Sequence, residues 1–323
     1  MDVGGEKKAC SKRLFPVLLL LSIAVGLYIS SLYSYLLFHS LAELFSVSIA
    51  FSIFILAWNS RRFFQNRFLQ IIAVGYSFSG IIDLIHTLAY KGISVFEGYG
   101  TNLPTQLWIA ARYVQAITLF IAASMPYEKN IQKGISYNKL FLFYGAIVSL
   151  LLWSIFSGIF PACFIEGFGL TTFKKVSEYV ISLLVFVAIL QLYRKREYLE
   201  SNIFRLIILS FASLIGSEMA FTLYRDAYGF FNLLGHYIKI LSYYFIYKAI
   251  VVKGLMEPYD LLFRDLKKHR DHLETLVAAR TSKLKAELLE RIRAEKALSD
   301  SEERFRAITT AATTKILSCQ LNF

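Results

Sequence analysis

Charged side chains are scarce in this sequence, since Asp, Glu, Lys and Arg make up only 18% of its 323 residues. Soluble domains carry about 25% charged and about 45–50% apolar residues, whereas 56% of this chain is apolar. The surplus is collected in runs that approach the ~20 apolar residues needed to cross a bilayer. The scarcity of charge therefore excludes an ordinary soluble protein and indicates a membrane protein.

Cysteine is also scarce, with three residues in the whole chain. Neither a CxxC pair nor a local cluster of Cys and His is present, and such patterns are typical of structural zinc sites. The sequence therefore offers no sign of a small domain built around structural zinc.

Long apolar segments dominate what is present, and they predict an all-α membrane protein. We expect a bundle of eight transmembrane helices followed by a cytoplasmic coiled-coil helix. The first segment follows basic residues, as a signal peptide does, but its apolar run is too long and no small-residue cleavage site closes it. The spans are predicted near 14–36, 41–58, 68–88, 106–125, 140–160, 176–193, 203–224 and 231–252.

The distribution of Lys and Arg predicts the orientation of the bundle. Basic residues gather in the N-terminal tail and in the second, fourth and sixth connections, and the opposite side carries few. Cytoplasmic loops are enriched in Lys and Arg, so we expect a multi-pass inner-membrane protein with both termini in the cytoplasm. Only Cys163 then lies outside, which leaves no disulfide framework. The basic residues of the opposite side are Lys91, Lys174, Lys175 and Arg225.

The net charge of +12 is explained mostly by this topology. A basic inner surface suits anionic lipid head groups, so the bilayer is an expected partner. The basic residues are divided among loops without a recognition helix or motif, which argues against binding of nucleic acid.

The chain divides into four predicted parts: a cytoplasmic tail (1–13), a membrane sensory domain (14–253), a coiled coil (254–300) and a short terminal segment (301–323). The sequence Glu-Pro-Tyr at 257–259 breaks the last membrane helix, because the residue before proline disfavours helix. The final segment is too short for an independent core, and we interpret it as the truncated start of a further domain.

Apolar residues of the coiled-coil segment step by 4, 7, 4, 7 and 4, which is an 11-residue period. Such a period gives a straight helix or a weak right-handed supercoil. The simplest partner is a second copy in a parallel homodimer; the alternative is a single amphipathic helix on another domain. The stepping residues are Leu262, Leu266, Leu273, Val277, Leu284 and Leu288.

Ionisable residues inside the predicted spans fall almost entirely in their outer halves or near the middle. Five helices each carry a polar stripe at i, i+3, i+4 or i+7 spacing, which places its members on one helix face. Charged groups in membrane segments are costly, and they commonly mark functional sites. We therefore predict one outer-side pocket lined by His39, Glu43, Asp83, His86, Trp108, Arg112, Glu218, His236 and Lys239.

This pocket could hold a polar ligand, a transition metal or haem. Histidine is the commonest metal ligand and is often oriented by a carboxylate, and His86 and His236 are the metal ligands we favour, with His39 as a further candidate. The alternative is that the polar groups only satisfy one another, with Arg112 paired to Asp83 or Glu218. The glycine-rich segment 91–104 is either a lid over the pocket or an ordinary polar loop.

Several stretches together resemble the MASE3 family of membrane-associated sensor domains. They are HSLAELFSVSIAFSIFILAWNSR (39–61), IIDLIHTLAYKG (81–92), TNLPTQLWIAARY (101–113), HYIKILSYYFIYKAIV (236–251) and EPYDLLF (257–263). The resemblance implies a sensory module placed ahead of PAS, histidine kinase or diguanylate cyclase domains in bacterial or archaeal signalling proteins. SEERFRAI (301–308) resembles the start of a PAS domain after a signalling helix.

The chain departs from such signalling proteins in its output. It contains no HExxxP phosphoacceptor box, no glycine boxes for ATP and no GGDEF sequence, so we expect no catalytic domain here, although full-length relatives would be histidine kinases or diguanylate cyclases. The expected function is a sensory input of the two-component sensor kinase type, with ligand binding relayed through the coiled coil. A haem- or metal-binding redox protein is the alternative. A transporter is disfavoured because the inner halves of the spans hold almost no polar path.

Overall fold

The computed structural model describes residues 18, 21–61, 67–93, 95–125, 135–223, 229–251 and 257–320, and these residues are almost wholly helical. The chain forms two compact units, the first ending at Pro258 and the second beginning at Tyr259. The predicted boundary at 253 thus lies slightly before the structural one.

Among the residues that the structure describes, six helices are long and apolar enough to cross a membrane. The prediction of a multi-pass helical membrane protein is confirmed at this level, whereas the count of eight spans stays a prediction. The six are α2 (Tyr35–Asn59), α3 (Arg67–Ala89), α4 (Asn102–Ser124), α5 (Tyr137–Phe156), α6 (Thr172–Arg194) and α7 (Ser201–Leu223).

Two further helices of the first unit coincide with the other predicted spans. The first, α1 (Leu21–Tyr33), is a shorter apolar helix in its described part. The second, α8 (Phe230–Tyr247), has 18 residues, and two of its interior positions are the polar residues His236 and Lys239.

Six helices of the first unit close a ring in the order α2, α3, α4, α6, α7 and α8, with α8 returning to α2. Helix α5 packs outside this ring against α3 and α4. Apolar residues on outward faces stay exposed, as expected of lipid-facing positions: Leu142 of α5 is 75% exposed. Helix α1 contacts α8 through a 2.8 Å hydrogen bond from the Tyr237 hydroxyl to the Ala24 carbonyl.

Two glycines allow neighbouring helices of the ring to approach closely. A Cβ atom on Gly75 of α3 would lie 2.3 Å from the Thr118 side chain of α4. A Cβ atom on Gly235 of α8 would lie 2.7 Å from the Phe221 ring of α7. Since no real Cβ contact is that short, only glycine fits these positions without displacement of the partner.

A short hairpin covers the beginning of α4. Strands β1 (Phe164–Ile165) and β2 (Gly169–Leu170) pair antiparallel. The Asn102 side chain accepts hydrogen bonds from the backbone N–H groups of Cys163 and Phe164, at 2.8 and 3.0 Å. This end of α4 is therefore held in place by the loop between α5 and α6.

The described residues of the second unit all belong to one helix, α9 (Glu257–Gln320), which is 64 residues long. At 1.5 Å per residue it extends for about 96 Å. The segments predicted as a coiled coil and as the start of a PAS domain both lie in this continuous helix. Its described apolar stripe is exposed along its length; Leu273, for example, is 60% exposed.

Candidate functional site

All nine predicted site residues are buried at the same end of the ring. They lie near the first half of α2, the end of α3, the first half of α4, the end of α7 and the first half of α8. Antiparallel neighbours bring these parts together, and no site residue is more than 5% exposed. Arg225 and Asp226, which the sequence places beside Glu218, lie outside the described residues.

The first ion pair joins α3 to α4. Arg112 donates to the Asp83 carboxylate and to the Gln115 side-chain oxygen. Tyr243 of α8 lies 3.4 Å from Asp83 Oδ2 and 3.5 Å from Arg112 Nη1. Of the two partners considered for Arg112 from the sequence, the structure selects Asp83, and Glu218 accepts no hydrogen bond from Arg112.

The second ion pair joins α2 to α8. Lys239 Nζ donates to Glu43 Oε2 at 2.6 Å and lies 3.8 Å from Asp83 Oδ2. Lys239 therefore connects the two carboxylates, and a continuous chain of charges runs through α2, α8, α3 and α4. Breaking any one contact in such a chain leaves a charge buried without its partner.

Trp108 of α4 lies against both cations. Arg112 Cζ is 4.7 Å and Lys239 Nζ is 4.5 Å from the centre of its ring. The edge of Phe221 packs at 4.6 Å between ring centroids. The ring face attracts cations through its quadrupole, so Trp108 stabilises the two basic side chains inside the apolar bundle.

Three histidines converge next to the second ion pair. The ring centroids of His39 and His236 are 4.9 Å apart, and those of His39 and His86 are 5.3 Å apart. Tyr90, which the sequence did not single out, stacks on His39 at 3.7 Å. The sequence showed no short-range histidine spacing, because the three residues lie on three different helices.

Two of these histidines have their ring orientation fixed by backbone carbonyls. His86 Nδ1 lies 2.7 Å from the Pro104 carbonyl oxygen, and His236 Nδ1 lies 2.8 Å from that of Asn232. A carbonyl oxygen only accepts, so Nδ1 carries the hydrogen in both rings. The opposite atom, Nε2, is buried without a hydrogen-bond partner in each.

Glu43 presents its free oxygen to this group. Its Oε1 atom accepts no hydrogen bond and lies 3.3 Å from His236 Nε2. Ligand atoms of His39, Glu43 and His86 all lie within 4.8 Å of one another. The structure therefore brings together the two predicted metal ligands, His86 and His236, with His39 and a carboxylate between them.

A separate buried cluster on α6 and α7 surrounds Glu218. Lys174 pairs with Glu178 and donates to the Phe221 carbonyl at 3.0 Å, and all three ionisable residues are 0–1% exposed. Both carboxylate oxygens of Glu218 are buried without a hydrogen-bond partner. Glu218 thus lies near the predicted pocket but makes no hydrogen bond to its other members.

The sequence interpretation missed Lys174 and Glu178. Lys174 was assigned to an outer connection because it precedes the predicted span, whereas α6 begins at Thr172 and includes it. The signal that could have identified the pair is the i, i+4 spacing of Lys and Glu at the start of an apolar run.

The described part of the predicted lid segment packs against the protein. Phe96 and Tyr99 contact Phe156, with ring centroids 5.7 and 5.9 Å apart. Pro104 lies inside α4, since that helix begins at Asn102, and its carbonyl orients His86. The end of this segment therefore belongs to the site as a structural support.

Burial also controls the acidity of the Cys163 thiol, which belongs to a free cysteine near this end of the bundle. Its side chain is completely buried in the loop between α5 and α6. Loss of hydration raises the pKa of the Cys163 thiol to about 12, because the thiolate is disfavoured in an apolar environment. Cys163 is therefore a structural residue at neutral pH.

Comparison with known protein families gives one match. The sequence model described as "MASE3: Membrane-associated sensor domain" matches residues 30–258, a range that ends at the boundary of the first structural unit. Among curated proteins, and likewise among solved structures, none matches this chain. The matched range contains every residue of the buried cluster, and this chain belongs to the MASE3 family of membrane-associated sensor domains.

Proposed function

We propose that this chain is the sensory input of a signal-transduction protein of the two-component sensor kinase type. A stimulus ligand binds at the buried cluster of His39, Glu43, His86 and His236 and favours one of two packings of the helices around it. The resulting movement passes along the chain to an output domain outside this sequence.

The observation that carries this proposal is the chain of buried charges that connects α2, α3, α4 and α8 at one end. Buried ion pairs contribute little net stability, because desolvation offsets their attraction. A single ion pair would be enough to hold two helices together. Here two ion pairs and three histidines meet, and several of their buried side-chain atoms have no hydrogen-bond partner. A charged ligand bound here would change the balance of these contacts, as sensing requires.

The route to the output follows the chain. His236 and Lys239 lie on α8, the last helix before α9, and a π-helical turn at 248–251 follows α8. Turns of this type are frequent at functional sites. A shift of α8 would therefore reach α9, and its size is limited by the difference in ligand affinity between the two packings.

The orientation and the partner complete the proposal. The distribution of Lys and Arg supports eight spans in the inner membrane, with the cluster in the outer half and α9 in the cytoplasm. The exposed 11-residue stripe of α9 supports a parallel homodimer. Replacing Leu273 and Val277 together by Glu should abolish crosslinking between copies, whereas the same change at Lys267 and Lys268 should not.

The sensor proposal is tested in a fusion of residues 1–300 to a histidine kinase or diguanylate cyclase output. We expect Asp83→Ala and His236→Ala to change basal output or its response, measured per molecule of fusion that reaches the membrane. Ser124→Ala, at the opposite end of α4, is the matched control. Unchanged output in both cluster variants would refute the proposal.

A further inference from the structure

Next to the Glu43–Lys239 pair, buried ligand atoms of His39, Glu43 and His86 lie within 4.8 Å of one another, and His236 Nε2 lies 3.3 Å from Glu43 Oε1. We propose that these residues bind one divalent transition-metal ion, which is the ligand of the sensor. This inference rests on the proposed function for its biological meaning, although metal binding itself can be tested without any signalling readout.

The orientation of the rings supports a metal rather than a set of mutual hydrogen bonds. Because the Pro104 and Asn232 carbonyls hold the Nδ1 hydrogens of His86 and His236, the two Nε2 atoms carry lone pairs. Metal-binding histidines usually donate their other N–H to a carbonyl or carboxylate in this manner. His39 Nδ1 is likewise buried without a hydrogen-bond partner.

The side chains of Glu43 and His236 are already separated by the distance expected for two ligands of one metal ion. In a tetrahedral site with metal–ligand bonds of about 2.1 Å, neighbouring ligand atoms are about 3.4 Å apart. Glu43 Oε1 and His236 Nε2 are 3.3 Å apart. The atoms of His39, Glu43 and His86 lie within 4.8 Å of one another, so small side-chain rotations would complete the coordination.

A neutral His236 cannot donate to Glu43 through Nε2, since its hydrogen is on Nδ1. Without a cation between them, two electron-rich atoms would face each other in an apolar interior, which is unfavourable. Either a metal ion or a second proton on His236 resolves this contact. These two solutions are distinguished by the experiment below.

Glu43 is arranged for binding through one oxygen. Its Oε2 atom accepts a hydrogen bond from Lys239, which leaves Oε1 for the metal and fixes the plane of the carboxylate. Hydrogen-bonded carboxylates of this kind are common around metal ions. Lys239 also compensates part of the charge of Glu43. Binding of the metal ion therefore depends on the histidines as well as on the carboxylate.

The ligand set determines the class of metal. Three imidazoles and one carboxylate suit Zn²⁺, Cu²⁺, Ni²⁺ or Fe²⁺, whereas Ca²⁺ and Mg²⁺ prefer oxygen ligands. The histidine rings contact one another and the Tyr90 ring at 3.7–5.3 Å, a packing that favours an ion over a flat macrocycle such as haem.

The remaining two histidines of the chain supply a matched control. His269 and His272 lie on α9, where both are exposed. The full chain would be purified with a tag that contains no histidine, stripped with chelator, and titrated with Zn²⁺, Cu²⁺, Ni²⁺ and Co²⁺. Bound metal per chain would be measured after desalting, together with the thermal stability of each loaded sample.

We expect about one metal ion per chain in the wild type and in the variant His269→Ala/His272→Ala, with a rise in thermal stability on loading. His86→Ala and His39→Ala should each lose tight binding. Co²⁺ should give the d–d absorption of a four-coordinate site in the wild type, a readout that stays valid even if a cluster variant fails to fold.

Absence of retained metal in the wild type, or loss of metal only in the α9 variant, would overturn the metal site. A Soret band in the purified protein would show that haem is bound in place of the proposed metal ion. If metal is absent but Asp83→Ala and His236→Ala still change output in the fusion, the sensor proposal survives with another ligand. If metal binds but those variants leave output unchanged, the metal is structural and the sensor proposal fails.

Discussion

Removal of the Arg112 guanidinium tests whether the buried charges depend on one another. Arg112→Met keeps most of the side-chain length and apolar packing but leaves the Asp83 carboxylate without its main partner. Both side chains have no exposed surface, so water cannot replace the lost contact. The variant should therefore be strongly destabilised.

The magnitude follows from what remains around Asp83. Breaking a buried pair by removing one partner costs about 3–5 kcal/mol. Asp83 keeps Lys239 at 3.8 Å and Tyr243 at 3.4 Å, which places the expected loss near the lower limit, at about 3 kcal/mol. Loss of the contact between Arg112 and Trp108 adds roughly 0.5–2 kcal/mol.

The double variant Arg112→Met/Asp83→Asn separates the charge effect from the packing effect. Since Asp83→Asn removes the uncompensated carboxylate, the double variant should be more stable than Arg112→Met alone by about 1–2 kcal/mol. A rescue of this kind is the signature of an unpaired charge, because lost packing would not be restored by a second substitution.

The free energy of unfolding would be measured by SDS titration in mixed micelles, with circular dichroism as the signal. Arg205→Met, an exposed position at the other end of α7, is the control and should stay within about 0.5 kcal/mol of the wild type. If Arg112→Met matches this control, or if the double variant is no more stable than Arg112→Met, the reasoning is wrong.

Two further predictions concern the same end of the bundle. The first uses a chain whose other cysteines are replaced (Cys10→Ser/Cys319→Ser). Cys163 should resist iodoacetamide at pH 8 and react only after unfolding in SDS, because burial raises the pKa of its thiol to about 12. Alkylation of the folded protein at the rate of a free thiol would contradict its burial. Gly235→Ala should destabilise the protein by about 1–3 kcal/mol, since the new Cβ would lie 2.7 Å from the Phe221 ring. Gly216→Ala is the matched control, as its Cβ would meet Ile238 at 3.6 Å and should be tolerated in the same SDS titration; equal stability of the two variants would contradict the close approach of α7 and α8.

Much of the fold could be predicted from the sequence, because a membrane helix must satisfy its backbone hydrogen bonds internally and expose apolar side chains to lipid. Six of the expected spans meet the requirements of a membrane helix, and the polar residues noted on α2, α3, α4, α7 and α8 are buried at one end of the bundle. The start of α6 was placed too late, so Lys174 was assigned to a connection and its pairing with Glu178 was missed.

The family of the chain was also recognisable from its sequence blocks. The individual contacts between helices could not be recognised from the sequence. Helical periodicity assigns a residue to a face of its own helix, but it carries no information on which helix that face meets.

Sequence by itself therefore determined that this is a helical membrane protein of the MASE3 family with polar groups concentrated at one end of its helices. Tertiary structure decided which partners those groups have. Closure of the ring between α2 and α8 brings Glu43 to Lys239 and His236 across nearly 200 residues, and the positions of the Pro104 and Asn232 carbonyls fix which ring nitrogens stay free. Both depend on the packing of whole helices, which no local pattern specifies.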